Sequence, residues 1–182
     1  YDKPMIYYPL SMLMLLGVKD ILIITNENQL EIFRCLLDDG SSLGIRITYK
    51  IQNEPKGLAD GISISDDFIK KDPIFVALGD NMFYGSNLIK QLKPKQDLGA
   101  TIYLYSVKDP ERYGIVELSD NQTPISIEEK PKSPKSNLAI TGLYYFDNSA
   151  IEKAKSLQLS QRDELEITDL IKMYLKDKSL YI

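Results

Sequence analysis

Two acidic residues, Asp80 and Glu129, occupy positions from which a carboxylate could take part in chemistry. Asp80 follows Gly79 after the apolar run Ile74–Leu78, which is typical of a short strand buried on both faces. Ligands of open α/β sheets bind at the carboxyl ends of the strands, so a parallel sheet would place Asp80 at that edge. The alternative is that Asp80 only completes a turn, because Gly-Asp-Asn is ordinary turn chemistry.

Glu129 ends a segment in which apolar and polar residues alternate, Ile125–Glu129. In a strand, this alternation puts Ile125, Ile127 and Glu129 on one face, which is the apolar one. A carboxylate that points inward costs several kcal/mol unless it is paired or binds something. We therefore predict that Glu129 accepts hydrogen bonds from a ligand. The alternative is that the strand frays at Glu129 and leaves it in water.

Lys130 and Arg162 are candidate phosphate-binding cations, although a single lysine or arginine is more often a solvated surface charge. Arg162 precedes the acidic segment 163–166, which could equally hold it in a weak surface ion pair. Gly57 opens a predicted helix after a polar loop, where a glycine lets the backbone approach a ligand closely. An ordinary turn is the alternative for Gly57.

Composition excludes several classes of chemistry and of partner. The chain of 182 residues has no histidine and one cysteine, which excludes Ser-His-Asp hydrolysis, histidine-ligated metals and an internal disulfide. The net charge of −4 argues against nucleic-acid binding, and no apolar run reaches the length of a membrane span. Carboxylates, cations and backbone amides remain, and they suit phosphate and a hard cation such as Mg²⁺. With no signal peptide, we expect a cytoplasmic protein.

Apolar periodicity predicts alternating strands and helices in the first half of the chain. The strands are expected near 20–25, 45–51 and 74–78, with helices that carry the apolar residues of 30–37 and of 57–69 between them. Such alternation is typical of a parallel sheet with helices on both faces. Cys35, within the first of these helical patterns, is expected to be a buried thiol. A hairpin at 115–129, a strand at 140–146 and an amphipathic helix at 167–175 follow.

Seven short motifs occur in an order and spacing that resemble a known family. They are residues 1–10 (YDKPMIYYPL), 57–59 (GLA), 78–81 (LGDN), 111–114 (ERYG), 128–131 (EEKP), 141–144 (TGLY) and 164–169 (ELEITD). Together they cover nearly the whole chain and resemble the glucose-1-phosphate thymidylyltransferases, a family of sugar nucleotidyltransferases. The resemblance implies a Rossmann-like α/β fold of the nucleotide-diphospho-sugar transferase type, with a mixed, mainly parallel sheet and helices on both faces. We expect residues 1–182 to form a single domain.

The resemblance implies an enzyme that forms dTDP-glucose and pyrophosphate from dTTP and glucose 1-phosphate with Mg²⁺, as a homo-oligomer, specifically a tetramer. Positioning and charge neutralisation are what such a transfer needs from a protein. By matching motifs, Asp80 would hold Mg²⁺ and, with Gln52 and Gly57, the nucleotide. The resemblance also implies a set of residues around the sugar phosphate: Leu58, Gly114, Glu129, Lys130, Ile140, Tyr144 and Arg162. Asp80, Lys130 and Arg162 would be the catalytic residues.

The chain departs from the family in four ways. The glycine-rich phosphate loop, the first strand and the second metal-binding aspartate are not found in residues 1–182, so we expect an incomplete domain that is inactive by itself. Asp60 and Gly61 replace the glutamine and alanine usual after residues 57–59. Two other functions remain open: a related sugar-1-phosphate transferase that uses UTP or CTP, and a non-catalytic sugar-phosphate-binding or regulatory protein.

Overall fold

A computed structural model describes residues 3–182, so Tyr1 and Asp2, which open the first family motif, lie outside it. Within this range the chain forms an α/β fold of eight strands and seven α-helices. The strands are β1 Asp20–Thr25, β2 Arg46–Ile51, β3 Ile74–Ala77, β4 Ala100–Ser106, β5 Gly114–Leu118, β6 Pro124–Glu129, β7 Leu138–Phe146 and β8 Leu180–Tyr181. The helices are α1 Tyr7–Leu15, α2 Glu27–Leu37, α3 Leu58–Ser63, α4 Asp66–Ile69, α5 Leu88–Leu92, α6 Ala150–Lys155 and α7 Ile167–Lys176.

The strands form two sheets. The parallel pair β1 and β2 forms one, and the other has the order β6-β5-β7-β4-β8, with β3 also paired to β7. The predicted α/β fold with a mixed sheet is confirmed. It is less parallel than expected: two of the six pairings among the described strands are parallel, because β7 runs antiparallel to β3, β4 and β5.

The prediction that β3 is buried on both faces is wrong. All four of its residues are only partly buried. Within residues 3–182, β3 pairs with β7 alone and β1 pairs with β2 alone, so each strand has one unpaired edge. Residues of both strands line the same groove, of about 1180 Å³. The apolar run correctly predicts a strand, but its burial depends on pairing partners that a local pattern does not contain.

Two predicted helices differ in detail from the structure. The helix expected over 57–69 is divided into α3 and α4, because the Ser65 hydroxyl donates to the Gly61 carbonyl, at 2.5 Å, and competes with the helical pattern. Helix α2 begins as expected after Asn26, whose side chain accepts from the Gln29 amide at 3.0 Å. The prediction that Cys35 is buried is wrong, because Cys35 is exposed. Leu37 is the one buried residue of α2.

The second half of the chain follows the sequence prediction closely. β5 and β6 form the expected antiparallel hairpin, and α7 buries its predicted apolar face through Leu170, Ile171 and Tyr174. These elements pack into the larger hydrophobic core together with β4, β7, α3 and α6. No helix in residues 3–182 is long and apolar enough to cross a membrane.

Candidate active site

Arg162 lies at the centre of an acidic cluster on the segment that leads into α7. Its Nε donates to Glu166 Oε1 at 3.0 Å and its Nη2 to Glu166 Oε2 at 2.6 Å. The same Nη2 lies 3.3 Å from Glu129 Oε1 and 3.3 Å from Glu164 Oε2. Arg162 is therefore held by three carboxylates. The structure brings together the two candidate residues Glu129 and Arg162. It also shows the alternative offered for Arg162, an ion pair with the acidic segment 163–166, through Glu164 and Glu166.

Glu129 points inward, as the alternation of its strand predicts. It pairs with Gly114 across the hairpin, and its side chain is 23% exposed. Burial raises the pKa of Glu129 above its ordinary value, and the nearby Thr168 hydroxyl opposes the shift. Glu166 raises the pKa further, whereas Arg162 and Lys130 lower it. The expected apolar face is incomplete, however, because Ile125 is 53% exposed. The register skips Ile125 at an irregularity between β5 and β6, which turns its side chain outward.

Gly114 packs too closely against its neighbours to carry a side chain. A Cβ there would lie 2.7 Å from Thr168 Cγ2, 3.4 Å from Glu129 Oε2 and 3.5 Å from Ile140 Cδ1. Thr168 is 1% exposed, and its hydroxyl has no hydrogen-bond partner among residues 3–182. Sequence reasoning missed Thr168. The sequence does contain a signal for Thr168: it lies three residues before Ile171, which places its hydroxyl on the apolar face of the predicted helix.

Strand β7 supplies a further wall of this region. Alternation places Ile140, Gly142 and Tyr144 on one face, and Tyr144 is 4% exposed. Burial raises the pKa of the Tyr144 hydroxyl, and the nearby Glu129 carboxylate adds to the shift. A Cβ on Gly142 would lie 2.6 Å from side-chain atoms of Asn81, so the strand carries glycine where the loop after β3 crosses it.

Asp80 is exposed and follows β3, as predicted. Asn81 Nδ2 donates to Asp80 Oδ1 at 2.9 Å, and Asn81 Oδ1 accepts from the Gly142 amide at 3.1 Å. Asn81, which sequence reasoning treated as part of a turn, thus links Asp80 to β7. Residues 3–182 contain no group of three or more acidic, histidine or cysteine side chains that could hold a metal. A cation at Asp80 would therefore take most of its ligands from water and phosphate oxygens, as Mg²⁺ commonly does.

Gln52 follows β2, and protein acceptors fix the orientation of its amide. Its Nε2 donates to Asp60 Oδ2 at 2.7 Å and to the Gly57 carbonyl at 3.3 Å. A carboxylate and a carbonyl can only accept hydrogen bonds, so the nitrogen must face them and Oε1 stays available as an acceptor. Asp60, one of the departures from the family pattern, is therefore part of this arrangement.

Gly57 is required by close packing of two chain segments. Its φ of +95° is in the region that favours glycine, and a Cβ would lie 2.4 Å from the Leu165 carbonyl oxygen. The Leu165 amide donates to the Lys56 carbonyl at 2.7 Å, and the Ala59 amide donates to the Leu165 carbonyl at 3.3 Å. The start of α3, where Leu58 packs against the larger core, is thus joined to the segment that carries Arg162.

Lys130 and Asp80 are less closely tied to the other predicted residues. Lys130 is exposed, has a φ of +42°, and has no carboxylate within 4.0 Å among residues 3–182. A positive φ in a lysine is sparsely populated, and such residues cluster at functional sites. Asp80 makes no ion pair with Lys130 or Arg162 in the described part of the chain.

The chain is similar to known proteins in both sequence and fold. The chain is 53% identical over 184 aligned residues to glucose-1-phosphate thymidylyltransferase of Neisseria meningitidis, an alignment that covers 100% of this chain and 64% of that relative. A provisionally assigned glucose-1-phosphate thymidylyltransferase from Bacillus anthracis, solved with sucrose, superposes with a TM-score of 0.88 at 37% identity, covering 98% of this chain and 72% of that one.

A UDP-glucose pyrophosphorylase solved with UDP-glucose shares the fold, with a TM-score of 0.84 at 23% identity, over 99% of this chain and 78% of that one. The chain spans slightly less than two thirds of the length of the relative from Neisseria meningitidis. The sequence pattern of the nucleotidyl transferase family matches residues 1–182. The chain belongs to the nucleotidyl transferase family.

Proposed function

We propose that the protein transfers a thymidylyl group from dTTP to glucose 1-phosphate, which forms dTDP-glucose and releases pyrophosphate. One observation carries this proposal beyond the similarity of the sequences. Leu165 joins the Arg162 cluster to the Gln52–Gly57 region by backbone hydrogen bonds, so an anion-binding region and a base-binding region lie in one arrangement. A reaction between a sugar phosphate and a nucleotide needs these two regions side by side.

In the reaction, a phosphate oxygen of glucose 1-phosphate attacks the α-phosphorus of dTTP. A new P–O bond forms there, and the bond from the α-phosphorus to the bridging oxygen breaks as pyrophosphate leaves. The protein's part is to align the two phosphates and to neutralise their charge. Arg162 and Lys130 supply positive charge at the sugar phosphate.

In this proposal the hexose binds near Gly114 and Glu129. Glu129 accepts hydrogen bonds from sugar hydroxyls there, because its partly buried carboxylate lies 3.3 Å from Nη2 of Arg162, which binds the sugar phosphate. Leu58, Ile140 and Tyr144 supply apolar and aromatic walls. The thymine is held by Gln52, through its available Oε1, and by the backbone of Gly57.

Asp80 is the residue of the described chain that we propose as a ligand of Mg²⁺. A bound Mg²⁺ would neutralise charge on the triphosphate and on the leaving pyrophosphate. The fit is chemical: Asn81 occupies one carboxylate oxygen of Asp80 and leaves the other for a hard cation. Asp80 thus places a fixed negative charge beside the site that the triphosphate occupies.

The test is a product assay on the intact protein with dTTP, glucose 1-phosphate and Mg²⁺. We expect pyrophosphate and dTDP-glucose in equal amounts, with no pyrophosphate when the sugar phosphate is omitted. UTP is the second candidate substrate, because the fixed Gln52 amide accepts equally from the N3–H of thymine and uracil. Binding of glucose 1-phosphate without turnover of any nucleotide would instead support a non-catalytic role.

The single domain, the tetramer and the cytoplasmic location also stay predictions. Light scattering of the purified protein measures the assembly, and fractionation of the source cells measures the location. A monomer in solution would contradict the predicted tetramer.

A further inference from the structure

Arg162 presents two edges to possible partners, and the structure occupies one of them. The side-on edge consists of Nε and Nη2, and the end-on edge consists of Nη1 and Nη2. We propose that Glu166 is a positioning residue, which holds the side-on edge of Arg162 so that the end-on edge binds the phosphate of the sugar substrate. This inference rests on the proposed function, because it assigns the phosphate to Arg162.

The first support is geometric. Both oxygens of Glu166 accept from the side-on edge, at 3.0 and 2.6 Å, which is the paired arrangement of a guanidinium and a carboxylate. Nη2 makes two further contacts, and both are long: Glu129 Oε1 and Glu164 Oε2 each lie 3.3 Å away. Nη1 has no protein partner among residues 3–182. A phosphate that displaces these long contacts would thus find two parallel donors.

The second support is burial. The Glu166 side chain is 9% exposed, whereas those of Glu164 and Arg162 are 37% and 38% exposed. Ser160 Oγ donates to Glu166 Oε1 at 2.7 Å and accepts from the Arg162 amide at 3.1 Å. These hydrogen bonds fix the Glu166 carboxylate before any ligand binds. They leave the end-on edge of Arg162 accessible. A buried carboxylate without its cation would be costly, so Arg162 does not leave Glu166 readily.

The third support is the direction of the free edge. Nη2 lies 3.3 Å from Glu129 Oε1, and the second oxygen of Glu129 lies 3.4 Å from the position that a Gly114 Cβ would take. A phosphate on the end-on edge would therefore lie next to the region proposed for the hexose. Glu129 then exchanges its long contact with Arg162 for contacts with sugar hydroxyls.

The experiment compares Glu166→Gln with Glu164→Gln in the intact protein. Both variants remove one negative charge near Nη2, but Glu164 contacts Nη2 alone, at 3.3 Å, whereas Glu166 binds both Nε and Nη2. We expect Glu166→Gln to raise the KM for glucose 1-phosphate and its calorimetric Kd on the order of 10-fold, since a charge-assisted bidentate pair is lost. The KM for dTTP should change less than about 2-fold, and Glu164→Gln should leave both KM values within the same limit.

A double-mutant cycle separates positioning from a general structural role. If Glu166 acts through Arg162, Glu166→Gln should add nothing to the KM of Arg162→Lys. The proposal would be overturned if Glu166→Gln raised the KM for dTTP as much as the KM for glucose 1-phosphate. It would also be overturned if Glu166→Gln raised the KM for glucose 1-phosphate as much in the Arg162→Lys background as in wild type. If Glu166→Gln does not fold, Ser160→Ala decides: we expect a rise of about 2- to 5-fold in the Kd of glucose 1-phosphate, and no change would overturn it.

The calorimetric arm also separates this inference from the proposed function. If wild type binds glucose 1-phosphate but makes no nucleotide sugar, the proposed function fails, while the Kd values of the variants still test the role of Glu166. If wild type is active and Glu166→Gln binds as wild type does, the function stands and this inference fails.

Discussion

The two ends of the candidate site differ in how firmly the protein holds their functional groups. At the sugar-phosphate end, Glu129 is partly buried and Glu166 and Tyr144 are buried, and hydrogen bonds tie the exposed Arg162 to both acids. At the nucleotide end, Asp80 is exposed and has a hydrogen bond from its neighbour Asn81. We infer that the groups around Arg162 are organised before substrates bind, whereas Asp80 gains most of its partners from the nucleotide and the cation.

The largest expected effect comes from Asp80, because no other described carboxylate stands beside it to replace its charge. Asp80→Asn keeps the size and removes the charge, so turnover should fall by about 100-fold or more. Binding of glucose 1-phosphate, measured by calorimetry without nucleotide, should stay within about 2-fold of wild type, since the other end is already organised. Asp72→Asn, an exposed aspartate before β3, is the control. Near-normal turnover of Asp80→Asn at saturating Mg²⁺ would contradict its assignment as a metal ligand.

This comparison also shows what the sequence could predict. The position of Asp80 after a strand and the inward direction of Glu129 follow from patterns of a few residues, and the structure has both. The contacts between Gly57 and Leu165 and between Gln52 and Asp60 were not predicted. The first joins residues 108 positions apart in sequence (165 − 57), and the second depends on which amide atom faces a carboxylate. Periodicity predicts the direction of a side chain and not its partner.

The same limit explains the errors in the fold. The apolar run of β3 correctly predicts a strand, but the pairing with β7, which makes it antiparallel and partly exposed, involves residues about 70 positions later (143 − 77 = 66). Cys35 lies in an apolar helical pattern, yet its helix packs through Leu37. The apolar face of α7 was predicted correctly because all of its residues lie within one helix and this face is buried in the core. Local patterns were thus most reliable where an element is fully packed.

Gly57→Ala should weaken both ends together, because Gly57 lies where they are joined. The added Cβ would lie 2.4 Å from a backbone oxygen, and alanine disfavours the φ of +95°. Gly44→Ala is the matched control, with a φ of +74° and nothing within 4 Å of its Cβ. We expect Gly57→Ala to lower the free energy of unfolding by about 2 kcal/mol more than Gly44→Ala, measured by urea denaturation. Equal losses would show that the contact with Leu165 relaxes easily.

The buried position of Glu129 should be visible in the pH dependence of stability. Because the pKa of folded Glu129 is raised above the ordinary 4.5, the folded state keeps this proton after the unfolded state has lost it. Its stabilising contribution is fully present below pH 4.5 and is lost as the pH rises through the folded pKa. The unfolding free energy of wild type relative to Glu129→Gln should therefore fall as the pH rises above 4.5 and through the folded pKa of Glu129. A difference in unfolding free energy that stays constant or rises with pH would contradict the inward placement of an ionisable Glu129. Glu128→Gln, on the opposite face of the strand, is the control.

The smallest expected effect concerns Gln52 and the choice of base. Both hydrogens of its Nε2 have acceptors in Asp60 and Gly57, so Oε1 is left to accept from a base. Thymine and uracil offer an N3–H to such an acceptor, whereas N3 of cytosine carries no hydrogen. We expect kcat/KM for dTTP and UTP to exceed that for CTP, and Gln52→Ala to reduce this ratio by about 5-fold, which corresponds to roughly 1 kcal/mol for one hydrogen bond. Asn53→Ala, at the exposed next position, should leave the ratio unchanged. The same ratio in Gln52→Ala as in wild type would assign base selection to other residues.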